Sequence, residues 1–166
     1  MGAGSAISLP GADYSAITAA ADAHFTEHGD VQVKTSSLAV AYRGKLVYER
    51  YAEGFGPDTP IYGFSLGKTL AALMAGVMVE QGKLDIHAPT GLSEWQQDDR
   101  ARITPHHLLT MTSGLSWSET YDKPTSDANL LFIKDDMATF AASKPLQNTP
   151  GSTYNYSSGS TLILAM

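Results

Sequence analysis

The chain has 166 residues, 43% hydrophobic and 17% charged, which fits one globular domain with a real core and not a disordered chain. Its 17 acidic residues against 11 Lys and Arg give a net charge of −6, with no basic cluster to mark a nucleic-acid surface. Cysteine is absent, so disulfide frames, thiolate catalysis and cysteine-based zinc sites are excluded.

No apolar run reaches the roughly 20 residues that span a bilayer. The start, Met1 to Ala6, shows neither a basic region nor an apolar core of the secretory kind, and Ala6 breaks the myristoylation pattern. These features point to no single compartment.

Residues 1–12 read as a small-residue leader closed by Pro10-Gly11. Asp13 caps a helix expected to run to about His28, with Ile17, Ala21, Phe25 and His28 at helical spacing and Gly29-Asp30 ending it. Val31 to Tyr42 and Leu46 to Tyr51 flank Arg43-Gly44-Lys45, a hairpin signal. A loop from Gly54 to Pro60 leads to a helix over Thr69–Val79, with Ser65 where an N-cap belongs and Gly82 as terminator. Lys83 to Pro89 reads as a turn, and Ser93 to Arg102 as a polar segment. Thr104-Pro105 opens a short helix to about Met111, ended by Ser113-Gly114. Ser116–Thr125 is loop-like, and the apolar spacing over Asp127–Ser143 predicts one further helix. Pro145 and Pro150-Gly151 break it, and the chain finishes on an apolar run where a helix should continue.

The chemistry points to Ser65 and Lys68. Residues three apart share a helix face, so the hydroxyl and the amine can meet. A serine hydroxyl is a poor nucleophile until a neighbouring base takes its proton, and a partly desolvated lysine can serve. A helix N-terminus also aims N–H groups at a developing oxyanion. The plain alternative is an N-cap serine beside a solvated lysine, since Ser-x-x-Lys alone is a short pattern.

Four stretches in order carry more. Leu38 to Val47 forms the hairpin and Phe64-Ser65-Leu66-Gly67-Lys68-Thr69 the Ser-x-x-Lys segment. Ile103-Thr104-Pro105-His106-His107-Leu108-Leu109-Thr110-Met111-Thr112-Ser113-Gly114-Leu115 and Pro150-Gly151-Ser152-Thr153-Tyr154-Asn155-Tyr156-Ser157-Ser158-Gly159 follow. Together they resemble the serine β-lactamase and penicillin-binding-protein superfamily. The branch they look most like is the class C β-lactamase-like esterases and amidases, including the 6-aminohexanoate-dimer hydrolase type. The resemblance implies an α/β (α+β) fold of the β-lactamase and transpeptidase kind: first helix, hairpin, nucleophile helix and a mostly helical region. It implies an acyl-enzyme on Ser65, with Lys68 as proton partner and Tyr156 as general base and acid. A phenol of ordinary pKa near 10 needs an adjacent ammonium for that task. Tyr154 is the competing tyrosine; Ser157-Ser158 directly after Tyr156 favours the latter.

Ser158 stands where the family usually has Asn, which looks more like the esterase and amidase branch and sets penicillin turnover in question. Ser158, Trp117 and Tyr121 are the expected substrate-binding residues, with Trp95 a further cleft candidate. The family's third motif, Lys-Thr-Gly or His-x-Gly, lies well beyond the tyrosine, whereas ten residues follow Tyr156 here. Residues 13–166 are therefore expected to form the N-terminal part of such a domain. The substrate would be a small ester, amide or β-lactam, and a C-terminal half supplied by another chain is one alternative. A penicillin-recognising protein without turnover is another.

No metal or organic cofactor is implied. His24 and His28 share a helix face but lack a third ligand, and His106-His107 point apart. His107 is expected to be a structural hydrogen-bonder, and Asp135-Asp136 a solvated face.

Overall fold

The computed structural model describes residues 8–26 and 34–166, which divide into two compact units at Tyr62/Gly63. In the first unit α1 spans Tyr14–Ala23, with Asp13 Oδ1 accepting the Ala16 N–H at 3.0 Å. It ends earlier than its apolar spacing predicts, at a His24 C-cap; the expected continuation to His28 and the start of the strand at Val31 lie outside the described residues. Strands β1 (Ser37–Tyr42) and β2 (Lys45–Tyr51) pair antiparallel, from Ser37 opposite Tyr51 to Tyr42 opposite Lys45. Arg43 and Gly44 turn the hairpin with φ of 50° and 74°, the doubly positive backbone that matches the twist of two-residue turns. The register slips between Val40 and Ala41, a β-bulge. Arg50 links strand to helix, pairing with Asp22 and lying 4.3 Å over the Phe25 ring.

The second unit is helical. Helix α2 (Leu66–Glu80) stops at Gln81, and Gly82 takes φ +67°, as expected of a glycine after a helix. The polar segment before Ile103 folds into two 3₁₀ turns, Ser93–Trp95 and Asp99–Arg102. Arg100 holds the second: its guanidinium grips Asp98 and donates to the Ala142 carbonyl at 3.0 Å. Helix α3 (Pro105–Leu109) carries a capping box, the Thr104 hydroxyl accepting the His107 N–H while His107 Nδ1 accepts the Thr104 N–H.

The single helix expected over Asp127–Ser143 is instead two, α4 (Asp127–Leu131) and α5 (Met137–Ala142). Asp136 causes the break. Its carboxylate takes the Thr139 N–H and hydroxyl at 2.9 and 2.7 Å, starting a new helix and holding its own pKa below the ordinary range. It is an N-cap and not merely a solvated charge. The last helix, α6 (Ser158–Leu164), is capped by the Ser157 hydroxyl.

The core of this unit gathers Trp95, Ile103, Leu108, Leu115, Trp117 and Ile163 with smaller residues from α4 and α5. Backbone bonds lace two of the recognised segments together. Gly151 N–H reaches the Thr112 carbonyl and Asn155 N–H the Met111 carbonyl, both at 2.8 Å, while the Gly114 carbonyl accepts from Gln147 and Asn148. Gly114 has φ +79°, and a Cβ there would stand 2.2 Å from the Asn148 carbonyl oxygen. Only glycine fits.

Candidate active site

The N-terminus of α2 meets the N-terminus of α6. Phe64 enters α2 with φ 41°, a left-handed backbone that is uncommon outside glycine. The carbonyls of Gly63, Phe64 and Ser65 then take the N–H groups of Leu66, Gly67 and Lys68. Ser65 stands at the N-cap position, yet its hydroxyl caps nothing; it faces Lys68 instead. Lys68 Nζ lies 3.2 Å from Ser65 Oγ and 3.0 Å from Ser158 Oγ. It also sits 5.0 Å from the centre of the Tyr156 ring.

Tyr156 and Ser158 reach this point because the strand-like segment before α6 is tied down. The Asn155 backbone holds to Met111, and its side chain donates to the Trp117 carbonyl at 3.1 Å. Gly159 packs flat on Trp117; a Cβ there would meet the ring at 2.6 Å. Tyr154 is 67% exposed and Tyr156 36%, so of the two tyrosines it is Tyr156 that is brought to the lysine.

A cleft of about 280 Å³ opens beside Ser65, walled by Lys68, Tyr121, Phe132, Met137 and Ser158 among others. Tyr121, one of the expected substrate-binding residues, lines this cleft. Trp117 does not. It is buried in the core against Phe140 and Gly159, with its indole N–H turned to Glu119. Trp95 is likewise core, fully buried, its N–H donating to the Ala142 carbonyl at 2.8 Å. Both indoles find an internal acceptor, which is what lets so large a polar-tipped ring leave the surface.

The sequence reading passed over Glu119. Its carboxylate accepts four hydrogen bonds: Ser158 N–H at 2.8 Å, Ser158 hydroxyl at 2.5 Å, Trp117 N–H at 2.5 Å and Tyr121 hydroxyl at 2.9 Å. Burial pushes its pKa up, but the donors from Ser158, Trp117 and Tyr121 outweigh burial and leave it below the usual carboxylate range. The same bond to Glu119 raises the Tyr121 phenol above its ordinary value, with burial adding to this, so Tyr121 stays a donor. The signal was present in principle, because Trp117, Glu119 and Tyr121 alternate and an extended backbone puts such residues on one side. The loop that carries them is pinned by α4: the Asp127 carboxylate takes the Ser118 N–H, and Asn129 donates to the Tyr121 and Lys123 carbonyls.

His107 is structural. Burial lowers its pKa, and the like charge of His106 and His87 adds to this, which suits a neutral ring whose Nδ1 must accept. His28 lies outside the described residues. Among the described residues no group of three or more His, Asp or Glu side chains is placed to hold a metal ion.

With this geometry in place, comparison with known proteins is decisive. The β-lactamase family model matches residues 21–166. The chain belongs to the β-lactamase family. It is similar to esterase EstB of Burkholderia gladioli, 30% identical over 172 residues, which covers 87% of this chain and 43% of the esterase. In fold it resembles a Bacillus anthracis protein provisionally named 6-aminohexanoate-dimer hydrolase, with TM-score 0.61 and 22% identity over 78% of this chain and 38% of that one. The chain thus spans less than half the length of these relatives. Its helices and two-stranded sheet correspond to the N-terminal portion of the β-lactamase and transpeptidase fold.

Proposed function

We propose that this protein is a serine hydrolase cleaving a small ester or amide through an acyl-enzyme on Ser65. The observation that carries the proposal is the placement of Lys68 Nζ within 3.2 Å of Ser65 Oγ and beside the Tyr156 ring. In the step proposed, Tyr156 takes the Ser65 hydroxyl proton as Oγ bonds to the acyl carbon. The bond to the leaving alkoxide or amine breaks, and that group departs with the proton from Tyr156. Water then repeats the sequence on the acyl-serine. Lys68, beside Ser65 Oγ and the Tyr156 ring, steadies the negative charge that passes between the two residues. The Ser65 N–H, ahead of the first turn of α2, supplies one oxyanion donor. Losing one such donor of a pair costs about 10²–10³ in rate, so turnover without a second is slow.

The test is intact-mass spectrometry after exposure to p-nitrophenyl acetate and, separately, to a penicillin. An acetyl adduct that maps to Ser65 and vanishes in Ser65→Ala supports the proposal. A penicilloyl adduct without release moves the reading to a penicillin-recognising protein. A folded sample with no adduct refutes acylation by this chain.

One observation favours a second reading, that a further segment completes the enzyme. Leu70, Leu73 and Met74 of α2 are 63%, 62% and 69% exposed, and Ala75 alone on that helix is buried. On this reading acylation of Ser65 speeds up when a separately expressed C-terminal portion of a relative is added.

A further inference from the structure

The four bonds into Glu119 have a consequence for how Lys68 is held at Ser65. Ser158 has one hydroxyl hydrogen, and at 2.5 Å from Glu119 Oε1 that hydrogen is committed to the carboxylate, which can only accept. Ser158 Oγ is left with lone pairs, and the group 3.0 Å away that they face is Lys68 Nζ. Lys68 must then be the donor in that bond. Its second contact, to Ser65 Oγ at 3.2 Å, lies on the same nitrogen, and a third position faces the Tyr156 ring. Nζ is thus anchored by the Ser158 acceptor and set against Ser65 Oγ and the Tyr156 ring.

We propose that Glu119 is a positioning residue for the Ser65 reaction: by taking the Ser158 hydroxyl proton it turns the Ser158 lone pairs onto Lys68 and so holds Lys68 Nζ in place against Ser65. Glu119 touches neither substrate nor reacting atoms and acts through Ser158. Three features suit it to this. Its backbone sits in the loop pinned by α4, its Oε2 is held by the Trp117 indole, and its second bond to Ser158 is to the backbone N–H at the start of α6. The Tyr121 hydroxyl, also on Oε1, joins this anchor to the cleft wall. The inference rests on Ser65 being the nucleophile.

The titratable groups that face the network are Lys68 from α2, Glu119 and Tyr121 from the loop after Leu115, and Tyr156 ahead of α6. Glu119→Gln keeps the size but removes the charge and places an amide among donors. The measurement is the rate of Ser65 acetylation by p-nitrophenyl acetate across pH, by intact mass, on the 166-residue chain. Glu119→Gln is expected to slow acetylation by about 10–100-fold, the scale seen when a reacting group loses its orienting partner. It should also move the midpoint of the rate rise to lower pH, because removing an anion makes neighbouring protons easier to lose. The double variant Glu119→Gln/Ser158→Ala should be no slower than Ser158→Ala, since both cut one route.

Rates within twofold of the parent with an unmoved midpoint overturn the inference, as do effects of the two substitutions that simply multiply. Either leaves Ser65 as nucleophile. Should Glu119→Gln fail to fold, Ser158→Ala decides alone, since it severs Glu119 from Lys68 and keeps the Trp117 and Tyr121 contacts; a rate within twofold of the parent sinks the proposal. Absence of any Ser65 adduct in the parent chain removes the nucleophile assignment, and this inference with it.

Discussion

Helix α2 and the segment from Ile103 to Ile163 belong to one compact unit but are built on opposite terms. α2 leaves most of its apolar side chains to solvent and carries its meaning at one end, where Ser65 and Lys68 lie a helical turn apart. The other segment buries Ile103, Leu108, Leu115, Trp117 and Ile163 and laces residues 111–115 to 147–155 with backbone bonds. The two kinds of motif therefore mean different things. Ser-x-x-Lys is a demand on side chains. The Thr-Ser-Gly-Leu and Pro-Gly stretches are demands on backbone, and they set Tyr156 and Ser158 beside Lys68.

That contrast breaks first at Gly114. With φ +79° and the Asn148 carbonyl oxygen 2.2 Å from a would-be Cβ, Gly114→Ala is expected to lose on the order of 3–5 kcal/mol and to take Ser65 labelling with it. A thermal melt reads the first and intact mass the second. Ser65→Ala should do the reverse, abolishing the adduct while stability moves by no more than about 0.5 kcal/mol, because its hydroxyl caps nothing. A Gly114→Ala protein that melts with the parent would show that the lacing of residues 111–115 to 147–155 is not what holds the unit together.

How much of this was legible follows from the same division. Ser65 and Lys68 could be placed from spacing alone, because three residues along a helix is a distance in space as well as in sequence. Gly82 and Gly44 were readable because both take the positive φ that glycine adopts at little cost; Arg43, at φ 50°, was not. The burial of Trp117 was not readable, since it depends on Gly159 lacking a Cβ more than forty positions away. Glu119 showed locally only its alternation with Trp117 and Tyr121; its partner Ser158 is 39 residues on, and that meeting has no local pattern. The break between α4 and α5 was missed because Asp136 looked like one of two solvated acids, when a short polar side chain in mid-pattern can compete for the backbone and start a new helix.

A subtler probe of the structural segment is pH. His107 accepts the Thr104 N–H only as a neutral ring, and its folded pKa lies below that of an unfolded histidine, chiefly through burial. A depressed pKa means that the bond contributes fully above about pH 6.5 and is lost as pH falls through the folded value. The parent should therefore lose stability on acidification from pH 7 to pH 5. His107→Gln keeps an acceptor for the capping box but does not titrate, so its loss over that window should be smaller. Denaturant midpoints at the two pH values give the comparison; equal losses would remove His107 as the source.

The smallest effect is expected on α2 itself, and its smallness is the point. Leu70 and Leu73 are 63% and 62% exposed, so replacing either with Gln removes little buried surface. Gln and Leu also have similar helix propensity. Each substitution should then shift stability by no more than about 0.5 kcal/mol, whereas Leu108→Ala, at a site 1% exposed, should cost about 2–5 kcal/mol. Denaturant melts of the three variants set the scale. A loss near 2 kcal/mol at Leu70 or Leu73 would mean that this face is covered in solution, by a second copy or by another partner. Sedimentation at two concentrations separates those cases. Near-neutral values at both leucines leave α2 as a helix held mainly at its N-terminal end, where the bond from Lys68 to Ser158 joins it to α6.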